Sequence, residues 1–159
     1  MGKNTKKTNA VRILDGLGID YEIKTYEVDE SDLSAVHVAQ ISGLDINMIF
    51  KTLVVRGDKS GIIMAVIGGN EELNLKALAR ASGNKSAEMI ALKELLPLTG
   101  YIRGGCSPLG ARKNYPVYLD ERALTLKKIS ISAGLRGMQI ILSPQDLIKA
   151  TNATIAKLT

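Results

Sequence analysis

The chain has 159 residues, 45% of them hydrophobic and 23% charged, a balance that suits one globular unit with its own core and excludes a disordered polymer. No apolar run approaches the roughly 20 residues a bilayer span needs. A formal charge of +5, from 21 Lys+Arg against 16 Asp+Glu, is compatible with a solubilising surface or with a polyanionic partner, while 4% aromatic residues exclude an extended base-stacking platform.

In chain order, the opening "MGKNTKK" reads as a basic tail over residues 1–7, without an apolar signal stretch behind it. "TNAVRILDGLG" places Ala10, Ile13, Leu14 and Leu17 at helical spacing, with Gly18 as a stop. "IDYEIKTYEV" alternates as a strand up to Val28, and "DESDLSAVHVAQISG" reads as a helix capped at Ser34 and ended by Gly43. "FKTLVVRGDKSGIIMAVI" is a hairpin, because Gly57, Asp58 and Gly61 suit turn conformations between two β-rich runs. "NLKALARASG" is a short helix with Asn74 as cap, "AEMIA" a short strand, and "LKELLPLTG" a helix expected to halt at Pro97. "VYLD", "KISIS" and "MQIIL" are three further strands, and "SPQDLIKAT" a closing helix with Ser143 as cap and Pro144 at its first position. Helices and strands mix without a βαβ rhythm, so the expected fold is α/β in the α+β sense, built on a mixed or largely antiparallel sheet. Residues 8–159 are expected to form one domain.

Ordinary catalytic machinery is absent from the sequence. His37 is the only histidine and Cys106 the only cysteine, so no zinc site of usual composition assembles and no intramolecular disulfide forms. The single thiol fits a reducing, cytoplasmic location. His37 lies beside Val36 and Val38 on a helix, where a solvent-facing or flanking histidine is the expectation. Neither a "GxSxG" elbow nor a "GxxxxGK[ST]" loop occurs. Cys106 reads either as a nucleophile in "GGCSPLG" or as a small loop filler.

Two features remain. "RGGCSPLGARK", Arg103 to Lys113, offers glycine-freed amides that can bind an anion or a polarised carbonyl, or is an ordinary tight turn. In "FKTLVV", if Phe50, Thr52 and Val54 face the core, then Lys51 shares the other face with Leu53 and Val55. Apolar neighbours at two-residue spacing place Lys51 in a half-covered cleft; a lysine on an open surface is the other reading.

"KTNAVRILDGLGIDYEIKTYE", "FKTLVV", "TGYIRGGCSPLG" and "SISAGLRG", in this order, resemble the YbaK/EbsC family of aminoacyl-tRNA deacylases, relatives of the editing domain of bacterial prolyl-tRNA synthetases. The resemblance runs from about Thr8 to Ile148 and points to the Cys-tRNA(Pro) deacylase branch. It implies a mixed, partly barrel-like sheet with flanking helices, and no cofactor or metal. It places the essential lysine on Lys51, the glycine-rich loop on Gly104, Gly105 and Pro108, and further substrate contacts on Tyr26, Tyr101 and Ser132. The implied reaction is attack of the substrate's own thiol on its ester, which needs no enzymic nucleophile. Cys-tRNA(Cys) is a second expected substrate; the alternatives are hydrolytic editing of Ala-tRNA(Pro) and a non-catalytic tRNA- or synthetase-binding module. The acceptor end of tRNA(Pro) is the expected partner, with prolyl-tRNA synthetase supplying tRNA identity, and with no role for a membrane. Lys6, Lys7, Arg103, Arg112, Lys113, Lys127, Lys128 and Arg136 are candidate phosphate contacts, Arg112, Lys113 and Arg136 foremost. One departure stands out: where better-known members read "LD" after "RG", this chain has Met138 and Gln139, which keeps hydrogen bonding but loses a charge.

Overall fold

The computed structural model describes residues 7–159; the first six residues of the expected basic tail, Lys6 among them, lie outside the described residues. Helix α1 (Asn9–Gly16) starts where Thr8 accepts from the Val11 amide, and it buries Ala10, Val11 and Leu14. Leu17 falls at its C-cap and is 43% exposed, so the apolar face ends one turn earlier than the spacing predicts. Strand β1 (Glu22–Thr25) is shorter than expected, because its antiparallel partner begins at Met138 opposite Thr25 and leaves the residues beyond without a ladder. Helix α2 (Ala35–Ser42) is capped by Ser34 and closed by Gly43 at φ +78°, a conformation that favours glycine.

The hairpin of β2 (Phe50–Gly57) and β3 (Gly61–Gly68) pairs antiparallel from Phe50↔Gly68 to Gly57↔Gly61. Its turn is fastened by Asn84, whose Oδ1 accepts from the Lys59 and Ser60 amides at 2.8 and 2.9 Å. Helix α3 (Leu75–Ala81) and the three-residue strand β4 (Ala87–Met89) follow. A 3-10 turn then leads into α4 (Leu95–Thr99), which corrects the expectation that Pro97 halts this helix. Because the α-helix begins only at Leu95, Pro97 sits in its first turn, where a missing N–H costs nothing. Strands β5 (Val117–Asp120), β6 (Ile129–Ser132) and β7 (Met138–Leu142) and helix α5 (Pro144–Thr151) form as the sequence predicts. Strand β8 (Thr154–Ala156) does not announce itself in the sequence; three residues are too few to carry a period.

These strands make two sheets: β1-β7-β6, and β4-β2-β3-β5-β8 with antiparallel and parallel pairs. The expected mixed α+β architecture is what forms. Its barrel-like character reduces to one parallel bridge, Ile49↔Ser130, that links the sheets without closing a barrel. The five-stranded sheet has apolar residues on both faces. On one side Phe50, Val54, Met64, Val66 and Leu119 belong to a core shared with Ile131, Ile140, Leu14 and Leu147. On the other, Val55, Ile63, Ala65 and Ile67 pack with Leu78 and Leu158. The alternation along β2 is therefore the one its sequence predicts. Among the described residues no helix is long and apolar enough to cross a membrane.

Candidate active site

Strand β4 pairs with only Val55, Arg56 and Gly57 of β2, so from Phe50 to Val54 that edge has no strand ladder beside it. A cavity of about 480 Å³ opens there. Five successive residues, Phe50 to Val54, line it, which a strand paired on both edges does not allow; here both faces and the free edge contribute. The opposite walls come from Tyr26, Leu33 and Ser34 before α2, from Arg103, Gly104 and Cys106, and from Ser132 and Gln139 of the smaller sheet. Exposed Met89 and Leu92 form an apolar rim.

Four of the sequence-predicted residues thus meet in one cleft: Lys51, Tyr26, Gly104 and Ser132. Lys51 is half-buried and forms no ion pair among the described residues. Gly104 adopts φ +86°, a conformation that strains any L side chain, and a Cβ there would also crowd the end of the Leu33 side chain at 3.2 Å. Its N–H has no backbone acceptor among the described residues, whereas the Gly105 N–H is already spent on the Ile102 carbonyl at 2.9 Å. Ser132, 8% exposed, accepts from the Gly134 amide through Oγ at 3.1 Å, which leaves its own proton to donate.

Three predicted residues stand outside the cleft. Tyr101 is buried behind the loop, donates to the Leu109 carbonyl, and is wedged between Gly110 and Gly134. Gly105 is pressed against the Leu135–Arg136 backbone, where a Cβ would come within 3.2 Å. Pro108 lines a different cavity. These residues shape the loop that carries Gly104 rather than the cleft surface.

One cleft residue carries more than its sequence position foretells, and the Gln139 departure also reaches the cleft. Thr52, 9% exposed, has a buried Oγ1 without a hydrogen-bond partner among the described residues. An unpaired buried hydroxyl costs about 1–3 kcal/mol, so a ligand that satisfies it is favoured. Its position on the core-facing side of an apolar strand gave only a core reading. Gln139, 5% exposed, lines the cleft while its Oε1 accepts from Ser130 Oγ at 2.7 Å.

Burial pushes the Cys106 thiol up to about 12, so it stays protonated at neutral pH and is a poor nucleophile. His37 does not line the cleft. It is a helix-flank residue rather than a solvent-facing one: its side chain, 23% exposed, lies 3.8 Å from both Asp29 and Asp32. Arg136 is likewise engaged, donating to the Arg103 carbonyl at 2.7 Å and pairing with Glu30 at 3.4 Å. Lys128 pairs with Glu22 and Lys7 with Asp15, while Arg112 and Lys127 are exposed. Among the described residues the cleft lining therefore holds two cations, Lys51 and Arg103, with no carboxylate and no imidazole.

The model of the aminoacyl-tRNA editing domain matches residues 30–150. Among relatives, EbsC of Enterococcus faecalis, named as a candidate Cys-tRNA(Pro)/Cys-tRNA(Cys) deacylase, is 48% identical over 99% of this chain and 96% of its own. A crystal structure of a candidate trans-editing enzyme for prolyl-tRNA synthetase superimposes with a TM-score of 0.79 and 26% identity, over 98% of this chain and 99% of that one. The crystal structure of a hypothetical protein gives 0.83 at 24% identity, over 92% and 96%, a likeness of fold. The overall fold is thus that of a candidate trans-editing enzyme, and the chain belongs to the aminoacyl-tRNA editing domain family.

Proposed function

We propose that the protein is a trans-acting deacylase that removes misattached cysteine from tRNA(Pro), with Cys-tRNA(Cys) as a second substrate. The observation that carries this reading is the cleft's inventory: two cations and several hydroxyl and amide groups, without a carboxylate or imidazole to activate water. A cysteinyl ester brings its own nucleophile. Its thiol loses a proton as sulfur attacks the ester carbonyl carbon. A C–S bond forms, the carbonyl oxygen takes the negative charge, the C–O bond to ribose breaks, and the proton ends on the ribose hydroxyl. The amino acid leaves as a cyclic thiolactone.

The protein's contribution is then geometry and charge. Holding thiol and carbonyl in contact supplies effective concentration. The Gly104 N–H, the Ser132 hydroxyl and the Lys51 ammonium are the donors available to the developing oxyanion. Thr52 and Gln139 offer hydrogen bonds to the amino acid's polar groups, so recognition there is by hydrogen bonding without a carboxylate charge. Tyr26 forms part of the wall. The similarity to a trans-editing protein for prolyl-tRNA synthetase supports that synthetase as the partner that supplies tRNA identity.

The deciding experiment is deacylation of Cys-tRNA(Pro) and Ala-tRNA(Pro) by the purified protein and by Lys51→Ala. Thiol-assisted cleavage requires loss of the cysteinyl ester alone, dependent on Lys51. Equal cleavage of the alanyl ester would show that the cleft activates water. If neither ester is lost faster than in buffer while Lys51→Ala weakens tRNA binding, the protein is a binding module.

A further inference from the structure

The loop that carries Gly104 into the cleft runs on to form the wall of a second cavity, of about 560 Å³, against the C-terminal end of α5. Its charged lining is Lys113 and Lys149, with Asn114 and Asn152 beside them, and no carboxylate. Neither lysine forms an ion pair among the described residues. The contrast with a third concavity, lined by Glu27, Asp29, Glu30 and His37, shows that this charge separation is not uniform over the surface. Lys149 alone is explained by the last turn of α5, where a helix dipole favours a cation. Lys113 is not, and two exposed ammonium groups from distant segments that line one concavity give it a positive potential that favours an anion there.

What that anion is follows from the shared wall. Arg103, Gly104 and Cys106 face the cleft, and Pro108 to Ala111 and Lys113 to Val117 line the second cavity, so one continuous segment borders both. A substrate whose reactive end sits in the cleft and whose chain bears a phosphate at every step passes along this segment. We propose that the second cavity is a phosphate-binding site that grips the RNA backbone upstream of the aminoacylated end, with Lys113 and Lys149 as charge partners and the two asparagine amides as donors. The site rests on the deacylase reading above and extends it: the cleft performs the chemistry, and this cavity contributes affinity.

The test is the double variant Lys113→Gln/Lys149→Gln, assayed with full-length Cys-tRNA(Pro) and with a cysteinyl ester of adenosine that has no upstream phosphate. The expected result is a roughly tenfold higher KM for the tRNA at unchanged kcat, and a salt slope of tRNA affinity lower by about 1 to 2, since each lost phosphate contact removes about 0.7–0.9. The adenosine ester should be cleaved as by the wild type. An unchanged KM and salt slope with tRNA would overturn the site. Equal losses on both substrates would overturn it too, by revealing a structural role. Inorganic phosphate and ATP are tested as competitors; if either binds the cavity while tRNA affinity is the same in wild type and variant, a free phosphate is the ligand and the proposal fails. Should the wild type cleave neither ester, the deacylase reading falls, and binding of uncharged tRNA by the same variant still decides the site.

Discussion

The two halves of β2 differ in one neighbour. From Val55 to Gly57 the strand lies between β3 and β4, and Val55 is fully buried in the core beneath α3. From Phe50 to Val54 the same strand keeps β3 but has lost β4, and here the cleft forms. Continuous pairing produces stability; an interrupted ladder exposes a lysine, a buried hydroxyl and a strand edge to one cavity. The site is made by the shortness of β4, a three-residue strand, as much as by the residues of β2.

Substitutions in the two halves should therefore separate activity from stability. The largest effect is expected from Lys51→Ala in the open half: a loss of about 10²–10³ in kcat, the range for removing a charge-stabilising donor, with thermal stability held. Preserved turnover would remove Lys51 from the chemistry. In the paired half, Val55→Ala should cost about 1–3 kcal/mol by denaturant unfolding, the scale of losing buried methyl groups, with activity per folded molecule unchanged. A drop in specific activity would mean that the halves are not independent.

Thr52→Val sharpens the comparison, because it removes a hydroxyl without a hydrogen-bond partner among the described residues. Stability should rise by up to about 1 kcal/mol while deacylation falls about tenfold, opposite signs at one position. A gain in stability without loss of activity would make Thr52 a packing residue. Cys106→Ser should change least. The thiol titrates only at about 12, so the rise of rate with pH near the ordinary thiol value of about 8.5 belongs to the substrate's thiol and should persist in the variant. A pH profile that flattens in Cys106→Ser would return Cys106 to the mechanism.

Most of the fold was legible because its signals are local. Ser34, Asn74 and Ser143 each cap the helix that follows, Gly43 closes one, and alternation in "FKTLVV" assigns each side chain to a face. Pro97 misled because its effect depends on where the helix begins, which the preceding 3-10 turn decides. In the site, the resemblance pointed to seven residues, and folding brings four of them to the cleft. Tyr101, Gly105 and Pro108 adjoin Gly104 in sequence, and sequence proximity does not distinguish a residue that faces a cavity from one that braces the loop behind it.

By itself the sequence determined the α+β class, nearly every element, and the absence of ordinary catalytic groups, since these depend on residue types and short spacings. Only the tertiary structure decided where β4 stops, that the Thr52 hydroxyl lacks a partner among the described residues, that the Gly105 amide is already spent, and that Lys113 and Lys149 line one cavity. Each of these turns on which groups from distant segments satisfy one another, and spacing along a chain carries no record of that.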